Sequence, residues 1–219
     1  TVEQVVALGS EQLASLHSVQ VMALTVDQIA AIETTDLRSM TSVQIRALSS
    51  AQVAVFGSAQ IMAFDTSQIR SLATASLGSL TNEQMVALTS EQLANMTSSQ
   101  FNALSATQIA AIESADFVRL ASDQLRVLRT AQIAGLASDL LAAFDTSQIT
   151  ALTSGQLAVL SSDQIAALET TDIDVLLSSQ IRVLNSLQFG AMSTAQVAVL
   201  DSVQLQAITT TALAGLNAE

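Results

Sequence analysis

Leu80-Thr-Asn-Glu-Gln-Met-Val-Ala-Leu88 is the stretch whose reading decides the fold. Thr81 stands three residues before Gln84, the spacing of a helix-capping box, in which the cap hydroxyl accepts from the third helical amide and the glutamine reaches back to the cap amide. Met85 and Leu88 follow at i and i+3, so a helix stacks them on one face. Ala87 is small enough for an adjacent segment to approach closely. The same eight-residue pattern runs from Thr1 to Glu219 without slipping register, since 219 is 27 × 8 + 3. With Thr1 as position 1, positions 5 and 8 are apolar in all 27 complete octads, and position 4 is Gln in 21 of them. The consensus is (T/S)-S-x-Q-(I/L/V)-x-A-L.

Three backbones can carry such a period. In one continuous helix the apolar stripe would drift about 80° per octad and circle the helix, leaving no face to bury. Ser/Thr pairs every eight residues also compete with helix backbone hydrogen bonds. A β-solenoid with two octads per coil is the alternative reading. It places positions 5 and 8, of opposite parity, on opposite faces of a strand, and its corners call for Gly, Asn or Asp where the chain has only seven Gly. A chain of very short helices, one per octad, uses every recurrent position. The fold class expected is therefore all-α, a solenoid of helices of about 6–7 residues, each near 10 Å long.

One octad buries too little apolar surface to offset the ordering of eight residues. Stability has to come from surfaces shared between successive turns, as in other solenoids. The glutamine has two available tasks: closing the capping box, or bonding the exposed carbonyls where a neighbouring short helix ends. A longer pattern overlies the octad. Asp27-Gln-Ile-Ala-Ala-Ile-Glu-Thr-Thr-Asp36 recurs as Thr107–Asp116 and Asp163–Asp172, with Arg46, Arg126 and Arg182 ten residues beyond. The copies are offset by ten and then by seven whole octads, and the difference of three points to three octads per superhelical turn. Residues 1–219 read as a single continuous array of 27 repeats, uncapped at both ends. Thr1 in place of an initiator Met points to a fragment or processed piece of a longer protein.

Composition narrows the function classes. The chain has seven Arg and no Lys against nineteen acids, a net charge of −12. That excludes nucleic acid as the expected partner, because phosphate binding needs clustered cations. With no Cys there is neither a disulfide scaffold nor a thiolate metal site. The mean hydropathy of +0.48 invites a membrane reading. Gln and a Ser/Thr pair interrupt every octad, however, where a spanning helix needs about 20 mainly apolar residues, so no membrane insertion is expected.

Residues that suggest chemistry each have a structural explanation. Glu33/Asp36, Glu113/Asp116 and Glu169/Asp172 place two carboxylates at i and i+3, a conceivable half-site for a hard cation. Acids at a helix start also favour its dipole and can cap it, and this reading is preferred. His17, the single histidine, occupies a cap position. The serines fall at capping positions and form no Gly-x-Ser-x-Gly elbow. Met22, Met62 and Met96 read as packing or solvent-face residues. Arg38, Arg46, Arg70, Arg119, Arg126, Arg129 and Arg182 are scattered, with surface ion pairs as their expected role. No catalytic, cofactor-binding or metal-ligating residue is assigned, no cofactor is implied, and no enzyme is expected. The Gln column breaks at Asp36, Ser76, Asp116, Leu140, Asp172 and Ala212, where bends are expected.

Leu80–Leu88 and Leu152-Thr-Ser-Gly-Gln-Leu-Ala-Val-Leu160 resemble the Leu-Thr-x-x-Gln-Ile-x-x-Leu octad arrays of very large repetitive surface or adhesin-like proteins of Gram-negative bacteria. The resemblance covers the whole chain. It implies secretion, an extracellular or cell-surface location, and a structural module forming a stalk, filament or sheath, with self-association end to end or side by side. The alternative function is a binding module whose Ser/Thr columns form a hydroxyl face for ice or carbohydrate.

Overall fold

A computed structural model describes residues 1–217. Among them the chain is 66% helical without strands, in 27 short helices, one per octad. This settles the backbone in favour of the all-α solenoid over the β-solenoid. Each helix begins after its cap residue and holds four to six residues, as in Ser114–Phe117, Val26–Ala30 and Asn82–Ala87. Several reach the lower end of the six to seven residues expected, as Asn82–Ala87 does, and the others are shorter; none is longer, because positions 8 and 1 are taken by the corner. At the end of Asn82–Ala87, Leu88 is extended (φ −67°, ψ 130°), and Thr89, the next cap, is extended as well (φ −76°, ψ 156°). Both conformations are open to any L-residue. No described residue has a positive φ, so the solenoid turns without requiring glycine or proline at its corners.

The chain divides into two compact units, Thr1–Asp116 and Phe117–Glu219. Within each unit, helices pack on those three octads away along the chain. In the first unit, Ser42–Ala47 packs on Ser18–Met22 and on Thr66–Ser71. In the second, Ser162–Ala167 packs on Ser138–Ala142 and on Ser186–Gly190. Three octads therefore make one turn in each unit, the number to which the spacing of the long repeats pointed.

Position 5 points to the interior. Ile29, Ile45, Val53, Ile61, Leu157 and Ile165 have no exposed surface. Position 8 closes the corner beside it, with Leu48, Phe64, Leu152 and Leu168 all buried. Burial of such a pair, octad after octad, is the main stabilising term. Larger rings fill the core where they occur: Phe56 and Phe64 meet edge to face with centroids 5.2 Å apart, and Phe117 stacks on Phe144 at 5.6 Å. Position 7 is small where the turns crowd, as at buried Ala63 and Ala151.

Candidate functional site

The recurring polar constellation of this fold is the glutamine at position 4. Its side chain sits where one short helix starts and a helix of the turn below ends. A five-residue helix leaves most of its amides and carbonyls without internal partners, and burial makes each such group costly. Gln92 answers both ends at once. Its Oε1 accepts from the Thr89 amide at 2.9 Å, while the Thr89 hydroxyl accepts from the Gln92 amide at 3.2 Å. Its Nε2 donates to the carbonyls of Ile61 at 2.9 Å and Phe64 at 2.7 Å. Those carbonyls belong to positions 5 and 8, four octads earlier.

The pattern recurs throughout both units. Gln44 donates to Leu13 and Leu16, both at 2.8 Å. Gln188 donates to Leu157 at 2.9 Å and Leu160 at 2.8 Å, and Gln204 to Ile173 at 3.0 Å and Leu176 at 2.8 Å. Where the position 5 carbonyl is out of reach the position 6 carbonyl replaces it, as for Gln60 with Ala30 and Gln180 with Thr150. Both tasks open to the glutamine on the sequence are performed together, by different atoms. Only an uncharged side chain with an acceptor and two donors at this reach can do so. Gln44, Gln92 and Gln188 are accordingly buried, each at most 3% exposed.

The cap hydroxyl is the dispensable half of the motif. Gly9, His17, Ala121 and Leu177 stand at cap positions without a side-chain cap bond. The glutamine oxygen still accepts from each of their amides, at 2.7–3.0 Å. His17 is an exposed cap residue of this kind. Position 2 hydroxyls add a second tie between turns: Ser50 donates to the Ala75 carbonyl at 3.2 Å, and Ser154 to that of Ser179 at 3.2 Å.

The acidic pairs serve helix starts and turn contacts. Asp36 accepts from the Ser10 hydroxyl and Asp116 from the Ser90 hydroxyl, both at 2.6 Å. Glu33 and Glu169 do not cap their helices through their side chains, which corrects the capping expected of them. Instead Asp172 takes the oxygen's half of the glutamine role, accepting from the Glu169 amide at 3.1 Å. Asp172 is buried. That burial, with the nearby carboxylates of Glu169 and Asp145, raises its pKa against the opposing effect of the Glu169 amide. The described residues hold no cluster of three or more His, Asp or Glu suited to a metal ion.

At other breaks in the column the structure shows substitution of function. Ser76 donates to the Leu48 carbonyl at 3.0 Å, replacing the glutamine nitrogen with a shorter arm. Asp36, Ser76 and Asp116 fall in four-residue helices, Thr34–Leu37, Thr74–Leu77 and Ser114–Phe117. Ser39 and Ser79, at position 7 of the first two, donate toward the Ser10 and Ser50 carbonyls on the turn below, at 2.9 and 3.0 Å. Among the arginines, Arg38 donates from Nε to the Ala63 carbonyl at 3.3 Å, a backbone contact where an ion pair was expected. Met22 and Met62 face solvent and Met96 is buried in the core.

The glutamine, its cap residue and the Ala-Leu of the preceding octad form one continuous string across each corner, as in Ala87-Leu-Thr-Ser-Glu-Gln92 and Ala151-Leu-Thr-Ser-Gly-Gln156. The ALTTAQ repeat matches the sequence in five tandem segments, residues 29–66, 61–98, 109–146, 141–170 and 165–202. The chain belongs to the ALTTAQ repeat family. The six letters of that name read across the corner from position 7 of one octad to position 4 of the next. None of the curated proteins matches the chain. An ALTTAQ repeat array of this all-helical architecture is a structural repeat protein, and no described helix is long and apolar enough to cross a membrane.

Proposed function

We propose that this ALTTAQ array is a non-enzymatic building element, the extended part of a stalk, filament or sheath of a secreted or cell-surface protein. The carrying observation is the glutamine tie. The buried glutamines use one side chain to finish the start of their own helix and the end of a helix on the turn below, as at Gln92. The recurring positions are thus committed to joining turns, and adding octads adds length while preserving the joint. Solenoids built this way are quasi-one-dimensional, with stability arising between neighbours. The surface location rests on the resemblance to the large octad-repeat proteins of bacteria.

Electron microscopy of the isolated 219-residue chain tests the building role. Elongated particles of uniform width are expected, and compact spheres would overturn it. The hydroxyl-face alternative gains no support from the geometry, because many of those hydroxyls are occupied. Thr89 Oγ1 accepts from the Gln92 amide, and Ser50 and Ser154 donate to the next turn.

A further inference from the structure

One buried joint inside the second unit lacks its donor. Leu136 and Leu152 are position 8 residues whose carbonyls accept from Gln164 and Gln180, each at 2.7 Å. Phe144 stands between them in the column, four octads before Asp172, and among the described residues no donor reaches its carbonyl. Asp172 performs the other half of the glutamine role, accepting from the Glu169 amide at 3.1 Å. An ionised carboxyl offers acceptors only, whereas a protonated one presents one acceptor and one O–H donor, the pair that a glutamine amide presents. Reach is no obstacle, because Ser76, with an arm shorter than that of aspartate, brings its O–H to the Leu48 carbonyl four octads before it at 3.0 Å.

The surroundings of Asp172 differ from those of the other two aspartates in the column. Asp36 and Asp116 accept from the Ser10 and Ser90 hydroxyls. Thr146 holds the corresponding position for Asp172, but it is exposed and no bond joins the two among the described residues. Thr170–Asp174 packs on Thr146–Ala151 and on Thr194–Ala198. The ionisable groups of these elements and their caps are Asp145, Glu169 and Asp174, all acids, with no Arg among them. Ser138–Ala142, which leads into Phe144, adds Asp139, whose carboxylate accepts from the Leu140 amide at 3.0 Å. Burial, followed by the charges of Glu169 and Asp145, therefore favours the neutral form of Asp172 against the Glu169 amide.

We infer that the protonated carboxyl of Asp172 donates to the Phe144 carbonyl, completing the joint between these turns as a glutamine does, and that ionisation opens it. On ionisation the proton passes to solvent, the bond from the Glu169 amide is kept, and a carboxylate oxygen faces a carbonyl oxygen, acceptor against acceptor. The folded chain holds this proton more tightly than the unfolded chain. The tie is therefore fully present below the ordinary carboxylate value and lost as pH rises through the folded one. The glutamine joints at Leu136 and Leu152 carry no titratable group, so the switch acts at one octad and leaves those two closed.

Carbonyl-labelled phenylalanine provides the test, because the chain has six Phe and gives six carbonyl carbon signals by NMR. Phe144→Leu identifies the Phe144 signal by its loss. Between pH 4 and pH 8 that signal is expected to move upfield as Asp172 ionises, in a step that Asp172→Asn removes. Phe64 is the internal control: it too precedes an aspartate, and its carbonyl accepts from Gln92. It is expected to show only the step of Asp65, at lower pH. The position of the Phe144 signal in Asp172→Asn is expected to match that of the wild type in acid, since the asparagine amide donates at every pH. Asp172→Ala and Asp172→Leu place there the residues that this position holds at Ala212 and Leu140, neutral and without a donor. Either is expected to hold the signal upfield throughout. A Phe144 signal whose titration Asp172→Asn leaves unchanged overturns the inference. So does a signal in the alanine or leucine variant that coincides with that of Asp172→Asn, because loss of charge alone would then account for the shift.

Discussion

Gln92 and Phe64 lie on successive turns and are joined by a 2.7 Å hydrogen bond from the glutamine Nε2 to the phenylalanine carbonyl. The bond ties the start of Ser90–Asn95 to the corner at the end of Ser58–Ala63, on the turn below. Gln92→Glu retains the acceptor for the Thr89 amide and replaces two donations with a buried charge facing carbonyl oxygens. A loss of about 3 kcal/mol is expected, measured by urea denaturation. A midpoint equal to that of the wild type would show that the tie between turns contributes little.

Thr89→Ala removes only the cap hydroxyl from the same site, leaving the Gln92 oxygen on the residue 89 amide. The expected cost is about 1 kcal/mol, smaller than for Gln92→Glu. Reversal of that order in the two denaturation midpoints would contradict the division of labour within the motif. Ala121 shows the cap hydroxyl to be dispensable, since its amide still donates to Gln124 at 2.9 Å.

Asp172 and Asp65 are expected to respond to pH with opposite sign. The folded pKa of Asp172 is raised, chiefly by burial. The folded state therefore holds its proton more tightly than the unfolded chain, and its contribution is fully present below the ordinary carboxylate value, near pH 4. That contribution is lost as pH rises through the folded value. Asp172→Gln restores the amide of the column and is expected to stabilise the protein by about 1–2 kcal/mol at pH 7, with a smaller gain at pH 4. For Asp65, burial opposes the lowering, but hydrogen bonds from Ser67 and the Gln68 amide outweigh it, and the folded pKa is depressed. Its contribution is present above the unfolded value and lost as pH falls through the folded one. Urea midpoints of the wild type, Asp172→Gln and Asp65→Asn between pH 3 and pH 7 check both signs.

Deletions test the phase of the array. Removing residues 41–48, a whole octad, keeps every downstream Gln and apolar pair at its position and is expected to preserve helicity. Removing residues 42–45 breaks the phase at that point and is expected to expose a protease-sensitive site there. Limited proteolysis with circular dichroism compares the two, and equal tolerance would deny that the octad is the structural unit.

Gly190 lies against the backbone of Gly215, where a Cβ on Gly190 would meet the Gly215 oxygen at 2.9 Å. Gly190→Ala is expected to destabilise the second unit by about 1–3 kcal/mol through this overlap. The comparison is Ala158→Gly, at the same octad position, where the substitution removes an exposed methyl instead of adding a crowded one. A denaturation midpoint for Gly190→Ala at or above that of the wild type would show that the close approach imposes no constraint.

Local chemistry is what the sequence by itself determined. Thr81 and Gln84 are three residues apart, as are Met85 and Leu88, so the cap, the helix and its buried face all lie within one octad and follow from spacing. The breaks at Asp36, Ser76 and Asp172 were equally visible, although their replacement bonds were not. Ser76 finds the Leu48 carbonyl and Asp36 the Ser10 hydroxyl only because a particular turn lies beneath each. The partners of the Gln92 nitrogen, Ile61 and Phe64 four octads back, were likewise decided by the tertiary structure. Their identity depends on how many octads complete a turn, and that number follows from the angle at the extended corner together with packing across the interior. Neither quantity is encoded in the residues of any single octad.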